Sequence, residues 1–168
     1  MTEAFDDRPT RGAILGAILA TVGMTAVLVI ISPIAAGIAA TGILFILATG
    51  FHGSRFGIIG LVLVLVLSLL AAGIAGAPIP SLLAAGILAV TAWDMLEQGW
   101  TLGVQVGHRT PAGRSELVHG GSTLLVGAAI AGVLVALVST IPFGWSVIAV
   151  LLAILAGLFA ILALDAMA

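Results

Sequence analysis

From Gly12 to Ser54, and again from Phe56 to Trp93, the chain contains no charged residue. Apolar runs of this length constrain the fold more than any motif. Inside hydrocarbon every backbone N–H and C=O must be satisfied internally, which leaves only helices and closed barrels. Barrel strands alternate apolar and polar side chains over about ten residues, whereas a spanning helix needs roughly 20 apolar residues in a row. These runs are apolar throughout and predict helices. Composition agrees: 62% of residues are hydrophobic and 7% charged, too few charges to cover a water-facing surface, where about a quarter is usual.

Six apolar segments lie near 12–31, 34–51, 56–76, 80–104, 119–139 and 145–165. Ser32-Pro33, His52–Arg55, Gly76–Ser81 and Ile141–Gly144 separate them. Ser32 suits the cap of the second helix and Pro33 its first turn. Breaks this short favour antiparallel neighbours. The expected fold is all-α: a polytopic membrane protein, a bundle of six transmembrane helices in one domain over 12–168. A tail over 1–11 precedes it, and the longest loop covers 105–118. The first segment is too long for a signal peptide, and Glu3, Asp6 and Asp7 mix with the arginines before it, so cleavage is not expected. With six spans, Arg8, Arg11, Arg55, Arg109 and Arg114 all fall on one face. Positive residues mark cytoplasmic loops, so both termini and the 105–118 loop are expected in the cytoplasm, with the protein in the cell membrane. Phe51, Phe56, Trp93 and Trp100 then lie near the inner edge, and Phe143 and Trp145 near the outer.

What the chain lacks also excludes functions. There is no cysteine, hence no disulfide, thiolate metal site or cysteine nucleophile. Asn, Lys and Tyr are missing too, so no N-glycosylation sequon exists and every fixed positive side chain is an arginine. A net charge of −2 gives no basis for a nucleic-acid partner.

The polar chemistry is gathered in AWDMLEQGWTLGVQVGHRTPAGRSELVHGG, residues 92–121, which hold Asp94, Glu97, Arg109, Arg114, Glu116, His108 and His119. The stretch covers the inner end of the fourth helix, the loop, and the start of the fifth helix, with Ser115 as its expected cap. Asp94, Gln98, Thr101 and Gln105 recur at helical spacing as one polar stripe. Gly99, Gly103 and Gly107 form a second stripe, GxxxGxxxG, whose small residues let two helices approach closely. Gly12-x-x-x-Gly16, Gly127-x-x-x-Ala131 and Ala153-x-x-x-Gly157 read the same way. A carboxylate at the bilayer edge needs a partner, so Asp94 and Glu97 are expected to be held by Arg109, Arg114 or Arg55. With Glu116 and His119 these residues form the expected ion-pair and interaction cluster.

Two other chemistries fit the same residues. Asp94-x-x-Glu97 and Glu116-x-x-His119 each place two metal-ligand types on one helical face, but a carboxylate-bridged centre would need a second Glu-x-x-His. Asp94 and Glu97 could instead serve ion or proton passage, although polar residues elsewhere in the spans are too sparse for a continuous route. There is no G-x-S-x-G elbow, H-E-x-x-H pair, Walker loop or dinucleotide fingerprint. No catalytic residue, metal or cofactor is expected, and no enzymatic activity.

The run Trp93-Asp94-x-x-Glu97, Leu102-Gly103-x-Gln105-x-Gly107 and Arg114-x-Glu116-Leu117-Val118-His119 resembles the signature stretch of a domain-of-unknown-function family of small multi-pass membrane proteins from halophilic archaea. It departs from that pattern at one point: the family has an arginine directly after the glycine, where this chain has His108 and then Arg109. The resemblance implies an archaeal source. It also implies gene neighbours such as MoxR-type ATPases and von Willebrand-like or transglutaminase-like membrane proteins, and so a role in membrane assembly or the cell envelope. The expected function is a structural or assembly subunit embedded in the bilayer, with protein partners in a membrane complex and 93–119 as its cytoplasmic interaction face. The alternative is a small transporter or ion- or proton-conducting protein using Asp94 and Glu97.

Overall fold

The computed structural model describes residues 8–108 and 113–140. Over these residues the fold is all-α, with no strand and five helices: α1 (Arg11–Val29), α2 (Pro33–His52), α3 (Arg55–Ile74), α4 (Ile79–Val106) and α5 (Gly113–Thr140). Each has a segment long and apolar enough to cross a membrane. The expected sixth helix, near 145–165, lies outside the described residues, as does Arg109.

Local chemistry sets the helix ends. The Ser32 side chain accepts a hydrogen bond from Ala35 N at 3.2 Å, and Pro33 occupies the first turn, where its missing N–H costs nothing. Gly53 ends α2 in the left-handed conformation at φ 60°, which an L side chain rarely adopts. Ser54 Oγ then accepts from Phe56 N at 3.3 Å and starts α3. Gly107, at φ 90°, closes α4. The fifth helix starts at Gly113, ahead of both the expected cap and the apolar segment near 119, so Ser115 is its third residue and not its cap. Its first turn is polar, which hydropathy reads as loop, but Glu116 there is favourable at the positive end of a helix.

Successive helices are antiparallel neighbours. Early α3 meets late α2, where a Cβ on Gly57 would overlap Thr49 Oγ1 and approach the Phe45 carbonyl. Late α3 meets early α2 through Ser68 Oγ, which donates to the Ala35 carbonyl at 2.6 Å. Along α1 and α4, Gly16 faces Met95 and Gly23 faces Leu88. The helices α1 to α4 close into a ring, since α1 packs on α4 as well as on α2. Ala17, Met24, Leu28, Ala39, Ile46, Leu61, Leu82, Ala85 and Leu96 fill it. Small residues line the contacts because, without a hydrophobic drive between helices in lipid, close packing must hold them.

The fifth helix lies outside this ring, mainly on α4 with a smaller contact to α1. Glu116 and Gly120 are buried, and Thr123 and Gly127 half-buried, on one face. Gly120 meets Met95 and Gly127 meets Ile87. Leu117, Leu125 and Ile130 point outward, as do Leu15, Leu19, Leu44 and Leu63 on the other helices. An exterior this apolar suits a lipid environment.

A charged end where α1, α3, α4 and α5 meet

Because neighbours run antiparallel, one end of the bundle collects the starts of α1, α3 and α5 and the finishes of α2 and α4. The described arginines Arg11, Arg55 and Arg114 belong to those helix starts, and Arg8 lies three residues before α1. Helices α1 to α3 have 19 to 20 residues and α4 has 28. At about 1.5 Å per residue the first three span roughly 30 Å and α4 roughly 42 Å, against a hydrocarbon core of about 30 Å. The Thr10 amide, one residue before α1, donates to the Gly99 carbonyl at 3.2 Å. Gly99 therefore marks the level at which α1 begins, and Trp100–Val106 runs on beyond it.

The two carboxylates of α4 diverge. Glu97 faces α3, where Arg55 Nη2 lies 2.8 Å from its Oε1. Asp94 faces α5, where Thr123 Oγ1 donates to its Oδ2 at 2.6 Å. His119 Nε2 stands 2.9 Å from the same oxygen, close enough for an ion pair when protonated but off the hydrogen-bond direction. Glu97 thus pairs with Arg55, one of the three arginines considered from sequence, while Asp94 meets a histidine and a hydroxyl; Arg109, another of the three, lies outside the described residues. Arg114 is exposed and pairs with neither carboxylate.

Glu116 and His119, expected to share a face, are also divided between neighbours. Glu116 turns to α1 and is only 3% exposed. Its Oε1 accepts from the Thr10 hydroxyl and, at 3.2 Å, from Ala13 N. The carboxylate thus takes the place of an N-cap side chain for α1, which makes no cap bond of its own. Gly12 leaves room for it: a Cβ there would overlap Glu116 Oε2. Beside it, His108 is buried with Nδ1 on the Pro9 carbonyl. Pro9 and Thr10 are therefore a buried part of the core, although sequence reading placed them in a tail. The clue was Thr10 itself, a capping residue two positions before the apolar run that begins at Gly12.

Of the glycine stripe, Gly99 meets α1, where a Cβ would overlap Ala13 Cβ; Gly103 is buried, and Gly107 closes the helix. Of the polar stripe, Asp94 and Gln98 are half-buried, and Gln98 Oε1 is enclosed without a hydrogen-bond partner. Thr101 and Gln105 are exposed. Among the described residues, no three histidines and carboxylates come together to hold a metal ion.

Five helices of spanning length with apolar outer faces, joined at a charged end, are the build of a multi-pass membrane protein. The chain belongs to a family of unknown function, DUF7519, whose model matches residues 7–162. No curated protein and no solved structure matches it.

Proposed function

We propose that the chain is a structural or assembly subunit of a membrane or cell-envelope complex, without catalytic activity, and that 93–119 is its interaction face. The observation that carries this reading is where the charges go. Asp94, Glu97, Glu116 and His108 each bind another part of the same chain, so the polar stretch holds helices together, and among the described residues these side chains do not converge on one point. Beyond the level of Gly99, α4 then presents Thr101, Val104, Gln105 and Val106 exposed, with Arg114 and Ser115 exposed at the start of α5. Apolar and polar side chains mixed on a projecting helix end suit a protein partner more than lipid. The positive-inside bias of the arginines supports a cytoplasmic position for this end and for both termini.

The test is affinity purification in gentle detergent of the wild type and of Val104→Ser/Val106→Ser. The reading expects a defined co-purifying protein that the double variant loses while keeping its helical content. The same partner recovered equally with both proteins would contradict it.

One observation favours the alternative, ion or proton passage: Asp94 sits against His119, a titratable partner, rather than against an arginine. The divergence of Asp94 and Glu97 to different helices speaks against a path using both. Proteoliposome flux decides: movement of protons or monovalent cations that Asp94→Asn abolishes would establish the alternative, and its absence supports a structural role.

A further inference from the structure

We propose that Pro9, Thr10 and Glu116 form a latch with two satisfied states, fastening the N-terminus of α1 to the hairpin end made by α4 and α5. In the closed state three contacts converge on Pro9–Ala13: the Thr10 amide on Gly99 O, His108 on Pro9 O, and Glu116 on the Thr10 hydroxyl and Ala13 N. Helix α1 is capped by a residue far away in sequence, although Thr10 is itself a standard capping residue. In the open state the Thr10 hydroxyl can turn back and accept from the first-turn amides of α1, as threonine does at many helix starts. Glu116 remains in the first turn of α5, still at a favourable dipole end. The Pro9 carbonyl, the Thr10 amide and the His108 ring exchange their partners for water at this end of the bundle. Each state therefore caps the start of α1 and keeps Glu116 at a favourable dipole end, and two such arrangements are what a two-state element requires.

Among the described residues no arginine or histidine pairs with the carboxylate. It accepts from the Thr10 hydroxyl and the Ala13 amide, and the positive ends of α1 and α5 supply the balancing charge. Closing the latch fixes Pro9–Ala13 and the 99–108 stretch together, and opening it frees both. This holds whether or not the hairpin end meets a partner.

Trypsin reads the latch directly. The chain has no lysine, and Arg8 precedes a proline that blocks cleavage, so Arg11 is the cutting site at the start of α1. Arg55, at the start of α3 with a side chain 66% exposed, is the internal reference. In nanodiscs, Glu116→Ala should raise cleavage at Arg11 relative to Arg55 by roughly five- to thirtyfold, the population change expected from losing a helix cap. Gly12→Ala should do the same from the other side, because its Cβ takes the space of the carboxylate while alanine favours the helix. In the Glu116→Ala background, Gly12→Ala should add nothing. An unchanged ratio in both single variants would overturn the latch. So would equal acceleration at Arg11 and Arg55, which means general unfolding, or an undiminished effect of Gly12→Ala once Glu116 is gone. If Glu116→Ala folds poorly, Gly12→Ala alone carries the test, with Gly121→Ala, where a Cβ meets open space, as its control.

Discussion

Asp94 and Glu97 are one helical turn apart, yet they hold different neighbours, and their environments predict different costs. The Arg55–Glu97 pair has an arginine that is mostly in solvent. Exposed pairs of this kind contribute about 0.2–1 kcal/mol, so Arg55→Gln should lower thermal stability only slightly. Thr123→Val is different. It removes the hydroxyl that donates to Asp94 at 2.6 Å and leaves a half-buried carboxylate short of a partner. Stranding such a group costs on the order of 1–3 kcal/mol, so Thr123→Val should be the more harmful change in a detergent melting series. Asp94→Asn combined with His119→Gln should then lose less than the sum of the single losses, since the two side chains lie 2.9 Å apart. Additive losses would mean that the proximity carries no energy.

Glycine positions decide how closely α4 can approach its neighbours. Gly99→Ala places a methyl on Ala13 Cβ, and Gly103→Leu puts a large side chain at a buried position. Overpacking of this kind costs about 1–3 kcal/mol. Leu102→Ile, off the stripe, should be mild. Equal melting temperatures for all three variants would show that the stripe does not pack. These glycines were readable from spacing alone, as was the Ser32-Pro33 helix start, because the causes are local. The start of α5 was read in part: Ser115 and Glu116 mark a helix start, but the helix already begins at Gly113, in a polar turn that hydropathy discards. The partners of Asp94 escaped for a related reason. Charge bookkeeping looks for arginines, while the structure uses His119 and Thr123, which antiparallel packing of α4 and α5 brings to the same level.

The bundle as a whole carries a prediction about orientation. Its charged end gathers Arg8, Arg11, Arg55 and Arg114, and positive ends stay in the cytoplasm. Because the chain has no cysteine, single cysteines can be placed without background. Cysteines at Ala4, Ala112 and Ala166 should be protected from an impermeant thiol reagent in intact cells and react in inverted vesicles. Labelling of Ala166 from outside would mean that the segment after α5 does not return the chain to the cytoplasm.

The proposed role as an assembly subunit is tested most directly by photocrosslinking in native membranes. A photoreactive side chain replaces Gln105, exposed beyond the level where α1 begins, and in a second protein replaces Leu63, exposed along the apolar length of α3. The account predicts a discrete protein adduct from position 105 and none from position 63. No protein adduct at 105, or the same adducts from both positions, would contradict it.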